Sequence, residues 1–151
     1  MREFEFYVQK GDVRRVSVDI ALARSLKNDV LERAEKAMKL DAEEYAKMIF
    51  EGIYDSLREF CDMLLAADGF KSYSHEASIS YLHAYGFTDA EIMALDRFRY
   101  KRNGSKYYGK GIDKEETEQI KAFYRSTLQK IKRIMDEKLP EKISEKRVQG
   151  R

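Results

Sequence analysis

Residues 41–69, from Asp41 to Gly69, read DAEEYAKMIFEGIYDSLREFCDMLLAADG. Tyr45, Met48, Ile49, Ile53, Leu57, Phe60, Cys61, Leu64 and Leu65 recur at three- and four-residue steps, the period of a helix. Asp41 can cap the first turn, with Glu44 at capping-box distance, and Asp68-Gly69 supplies the stop. This is the longest helix the chain predicts. Its apolar stripe is wide enough to meet more than one neighbouring helix, so the fold must be built around it.

The flanking segments follow the same period. Before it, a helix opens near Ser17 or Asp19 and carries Leu22, Leu26, Val30, Ala34 and Ala37 or Met38 on one side. After it, Tyr73 or Ser74 precedes a short helix through His75, Ile79, Leu82 and His83, stopped by Gly86. Thr88 with Glu91 forms a second capping-box pattern, for a helix through Ile92, Leu95, Phe98 and Arg102 that breaks or ends near Gly104. Asp113 opens the last helix, with acidic residues in its first turn and a stripe from Ile120 to Met135. Short loops between long amphipathic helices imply antiparallel neighbours. The reading is an all-α, up-and-down bundle of four to five helices over residues 19–138. Residues 1–18 form an N-terminal arm or a short β-hairpin, with Phe4–Val8 and Val13–Val18 as its β-prone runs. An isolated hairpin is marginal in water, so this one must lie against the bundle or a partner. Residues 139–151 form a charged, frayed tail after Pro140.

Composition agrees. A single proline and eight glycines in 151 residues are too few for a β-sandwich. Twenty-nine basic against 27 acidic residues leave a net charge of +2, so any polyanion site must be a local cluster. Cys61 has no second cysteine to pair with and reads as a small buried hydrophobe. No apolar run reaches the ~20 residues needed to span a bilayer. Glu3 and Glu5 interrupt the place where a signal peptide would be apolar. A cytoplasmic protein with no membrane association is expected.

One local cluster stands out. Arg97, Arg99, Lys101, Arg102, Lys106 and Lys110 follow one another without an acidic residue, with Tyr100, Tyr107 and Tyr108 among them. Guanidinium groups and aromatic faces together suit phosphate contact and base stacking. On a continuing helix Arg99, Arg102, Asn103, Lys106 and Tyr107 share one face. Charge alone fits equally well a solvated surface whose tyrosines pack on the bundle.

The stretch Arg102-Asn103-Gly104-Ser105-Lys106-Tyr107-Tyr108-Gly109 resembles the Arg-Asn-x-x-x-His/Tyr segment of HEPN domains. Asp68 to Ala77 is similar to their junction between the second and third helices, and the helix order agrees over about residues 19–137. The resemblance implies a homodimer. In many members paired Arg and His side chains line a cleft that cuts RNA without metal. Others bind without cutting, beside a small nucleotidyltransferase in a toxin–antitoxin-like pair. Carried onto this chain, Arg102, Asn103 and Tyr107 are the candidate catalytic positions, and Arg99, Arg102, Lys106 and Tyr108 the candidate nucleotide- or RNA-binding positions. A tyrosine beside the motif is a candidate acceptor for modification by the partner enzyme.

The decisive departure is Tyr107, where histidine is usual. RNA cleavage without metal needs a group that gains and loses a proton near neutrality. Imidazole does so at ~6.5, whereas a phenol at ~10 stays protonated. The expectation is therefore a binding module for RNA or nucleotide. The alternative is a ribonuclease using Arg102 with Tyr107 or His75. His75 and His83 are the only histidines; no cysteine or carboxylate set completes a metal site around them, and no cofactor is expected. His75 reads first as a residue of the helix cap. It becomes a candidate base only if the fold brings it beside Arg102.

Overall fold

A computed structural model describes residues 1–109 and 111–141; the side chains of residues 106–108 lie outside the described set. The helical reading is borne out. Four long helices carry the fold: α2 (Ile20–Met38), α3 (Ala42–Asp68), α5 (Asp89–Tyr108) and α6 (Lys114–Lys138). Two shorter ones, α1 (Phe4–Lys10) and α4 (His75–Ser80), complete the set among the described residues. Two three-residue strands, β1 (Val13–Arg15) and β2 (Phe70–Ser72), form a small antiparallel sheet.

Helix α3 is the centre. Helices α2, α4, α5 and α6 and strand β2 all pack on it, and Phe50, Ile53, Leu57, Phe60 and Leu64 are buried along its length. Burying a large apolar side chain stabilises by roughly 1.5–3 kcal/mol, so this stripe is the main driving force of the bundle. Against α2 the contact is made by small residues. A Cβ on Gly52 would stand 3.0 Å from the Ala37 Cβ, so the two backbones approach more closely than larger side chains allow. The N-terminal end of the predicted stripe is outside this core. Tyr45 and Met48 are exposed, and Tyr45 leaves helical geometry at φ −118°, ψ 28°. Leu22 of α2 is also exposed; Ala23 takes its place in the interior.

The helix starts follow side-chain chemistry. The Asp19 carboxylate accepts from the Leu22 N–H at 2.9 Å, and the Ser74 hydroxyl from the Ala77 N–H at 3.3 Å. Thr88 with Glu91 and Asp113 with Glu116 make full capping boxes. After Ser80 the chain tightens into a 3₁₀ turn, Tyr81–Tyr85, before Gly86, so the third predicted helix changes type midway. Helix α5 does not break at Gly104. It runs on to Tyr108 and ends at Gly109 in the left-handed conformation. One interior glycine costs a helix only about 1 kcal/mol, which neighbouring turns can absorb.

The N-terminal arm does contain a strand, but its partner is distant in sequence. Phe4–Lys10 is helical, and Val13, Arg14 and Arg15 pair with Ser72, Lys71 and Phe70. Gly69 makes the crossing possible. Its φ is +82°, and a Cβ there would sit 2.9 Å from the Val16 carbonyl oxygen. At the other end of the chain, Lys27 Nζ donates to the Leu139 carbonyl at 2.8 Å and Arg24 to the Pro140 carbonyl at 3.1 Å. The start of the tail is thereby tied to α2; residues 142–151, where fraying is expected, lie outside the described residues. No helix among the described residues is long and apolar enough to cross a membrane.

Candidate functional site

Opposite its apolar stripe, α3 carries Glu51, Asp55, Arg58 and Asp62 at steps of four, three and four. That spacing lines them along one face. It forms an ionic seam with α4 and α5. Arg102 of α5 reaches it with its side chain only 15% exposed: Nη2 is 3.4 Å from Glu51 Oε2 and Nε is 3.8 Å from Asp55 Oδ1. The Arg102 Nε is buried and makes no hydrogen bond among the described residues. Further along the seam, Arg58 Nη1 lies 3.0 Å from His75 Nε2, and its Nε lies 3.9 Å from Asp62. The Arg58 Nε is likewise buried without a hydrogen bond.

Ionisation along the seam follows burial. Burial pushes the Asp62 carboxyl up to about 6, with Arg58 opposing and Glu59 adding to the rise. The Tyr54 hydroxyl is buried and unbonded. Burial raises it well above the usual phenol range, while the Arg58 and Arg99 guanidiniums pull the other way. Tyr54 therefore has an electrostatic link to both arginines without serving as an acid or base near neutral pH.

Two further cations of the basic segment, Arg99 and Lys101, are paired. Arg99 Nε is 2.7 Å from Asp96 and its Nη2 is 3.5 Å from Glu76 of α4. Lys101 Nζ is 3.4 Å from Glu116 of α6. Arg97 is exposed and has no ion pair among the described residues. Within the run that reads as uninterrupted positive charge, Arg99, Lys101 and Arg102 thus face carboxylates from α3, α4 and α6 and from Asp96 of α5 itself. Beside it lies a cleft of 590 Å³ lined by Glu76, Arg99, Tyr100, Lys101, Asn103 and Glu116, together with Gly104, Gly111 and Ile112. Tyr100 is 72% exposed.

The continuous helix puts Arg99, Arg102 and Asn103 at adjoining positions, Arg102 towards the seam and Arg99 and Asn103 on the cleft. The backbone of Lys106, Tyr107 and Tyr108 continues the helix, but their side chains fall outside the described residues. His75 begins α4 and faces Arg58. His83 pairs with Asp89 at 2.7 Å, away from the seam. No group of three or more His, Cys, Asp or Glu side chains suited to a metal occurs among the described residues. Cys61 is buried, and burial raises its thiol far above the reactive range.

Sequence reasoning passed over Glu51, Asp55, Arg58, Asp62 and Glu76. For the four on α3 the signal was present as a charged stripe, Glu51 to Asp62, opposite the apolar face of that helix. No family model matches this chain, and no curated protein or solved structure matches it.

Proposed function

We propose that this chain is a HEPN-like helical module that binds single-stranded RNA or nucleotide along α5 and does not cut it. One observation carries the reading. The Arg102 guanidinium is mostly buried, yet its two carboxylate neighbours stand at 3.4 and 3.8 Å and its Nε has no hydrogen bond. Buried polar groups are ordinarily satisfied, and a guanidinium with an unused donor is suited to a neutral acceptor such as a carbonyl oxygen, since Glu51 and Asp55 already offset its charge. The sequence supports the non-catalytic half: Tyr107 stands where the resemblance calls for histidine, and a phenol is a poor base at neutral pH. On this reading the module is a homodimer and works beside a small nucleotidyltransferase, with Tyr107 or Tyr108 as the hydroxyl that partner modifies. Mass spectrometry of the coexpressed pair tests that last step through the mass of an added nucleotide on either tyrosine.

The test of the main reading is binding of a labelled oligoribonucleotide in the presence of chelator, by the full chain and by Arg102→Ala. Binding is expected to weaken at least tenfold in the variant, with the RNA intact throughout. Failure to bind any RNA sequence overturns the proposal.

A second reading, a metal-independent ribonuclease, draws on the imidazole of His75 beside the Arg58 guanidinium in the same seam. It requires RNA cleavage in chelator that is lost in both His75→Asn and Arg102→Ala. Intact RNA at high protein concentration removes it.

A further inference from the structure

We infer that the α5 cleft takes the base of an unpaired nucleotide, stacked on Tyr100 and read by the Asn103 amide, while Arg97 outside the cleft holds the phosphate. The inference rests on the RNA-binding reading above and specifies which part of the RNA enters.

The cleft is not built for an anion. Its two cations, Arg99 and Lys101, already face Asp96, Glu76 and Glu116. A phosphate entering there meets two carboxylates on the cleft wall and has to displace at least one ion pair. A neutral heterocycle displaces neither. Two features of the wall favour one. Tyr100 is a large aromatic left 72% exposed at the cleft, and an exposed ring offers a face for stacking that any base can use. The Asn103 side chain lies on the same wall and makes no hydrogen bond among the described residues. Its carbonyl oxygen and amide nitrogen match an adjacent donor and acceptor on a base edge, as in N6 and N7 of adenine. Arg97 lies three residues before Tyr100, one helical step away on the same side of α5, and is the exposed arginine of this segment without a carboxylate partner among the described residues. A backbone phosphate attached to the bound base can reach that cation from solvent.

The experiment compares a short oligoadenylate with an abasic polyribose phosphate of equal length, by fluorescence anisotropy on the full chain. Oligoadenylate is expected to bind at least tenfold more tightly. Tyr100→Ala should weaken oligoadenylate about tenfold and leave abasic binding unchanged, and Tyr100→Phe should restore affinity, because the ring supplies the stacking face. Arg97→Ala should weaken both strands and lower the salt dependence by about one phosphate contact. Equal binding of the two strands, with Tyr100→Ala silent, overturns the base site while RNA binding itself stands. Binding of neither strand overturns both proposals.

Discussion

Helix α3 carries two carboxylate clusters that differ in how fully they are satisfied. At its C-terminal end Asp68 accepts the Tyr81 hydroxyl at 2.5 Å, and it also takes the Tyr85 hydroxyl and the Lys138 ammonium. Burial opposes a charge there, but the donors from Lys138, Tyr81 and Tyr85 outweigh it and hold the Asp68 carboxyl below its usual range. In the first half of the same helix, Glu51 and Asp55 face Arg102 at ion-pair distances without a hydrogen bond to its Nε. The first cluster closes the 3₁₀ turn and α6 onto α3, with three donors gathered on one carboxylate. The second leaves donors unused in a partly buried place. A saturated polar cluster is accounted for by the fold; an unsaturated one calls for a further partner.

The sharpest way to break this contrast is to remove the saturated carboxylate. Asp68→Asn withdraws the charge from three donors and should destabilise by about 3 kcal/mol, judged from the worth of hydrogen bonds to charged groups. For a chain of this size that is a fall in Tm of roughly 6–12 °C, read by calorimetry. Because folding lowers the Asp68 pKa, its contribution is full above the ordinary carboxylate pKa and is lost as pH falls through the folded value. The Tm difference between the chain and Asp68→Asn should therefore shrink in acid.

At the unsaturated cluster the same kind of change should matter less to stability. Glu51 and Asp55 are 27% and 34% exposed, so water can serve them once the arginine is gone. Arg102→Ala should cost about 1 kcal/mol, and Arg102→Met, which keeps the packing of the stem, less still. Equal losses of stability at Asp68 and Arg102 would end the distinction between a clasp and a site.

The smallest effect is expected at Asp62, the far end of the seam. Folded Asp62 keeps its proton up to about pH 6, whereas the unfolded carboxyl releases it near 4. The folded state binds more protons between those values, so this group's contribution to stability falls as pH rises from 4 to 6 and stays lower above. Asp62→Asn should therefore raise Tm at pH 7 to 8 and be silent below pH 4. The gain should stay under about 1 kcal/mol, since the side chain is 39% exposed and water screens it. A gain that grows in acid would show that the Arg58 pairing, and not burial, governs the group.

The helix starts were legible in the sequence because a cap is a local event. Asp19, Ser74, Thr88 and Asp113 each bond an N–H within three residues, so no knowledge of the fold is needed to find them. The stop at Gly104 was misread for the complementary reason. A glycine penalty of about 1 kcal/mol is a local term, whereas the packing that buries Ser105 just beyond it is not local. The partner of β1 was hidden in the same way: Val13 and Ser72 are joined only because α2 and α3 run out and back between them.

By itself the sequence determined which of the longer segments are helical, where most of them begin, and that Arg102, Asn103 and the tyrosines around them lie in one basic stretch; it read Phe4–Val8 as β-prone where the chain forms α1. Periodicity and capping depend on neighbours three or four residues apart, and the chain states those directly. Only the tertiary structure decided what that stretch is electrostatically. Apart from Asp96 on α5 itself, the carboxylates that pair with Arg99, Lys101 and Arg102 are Glu76, Glu116, Glu51 and Asp55, on three other helices, and charge acts through space whatever the separation along the chain.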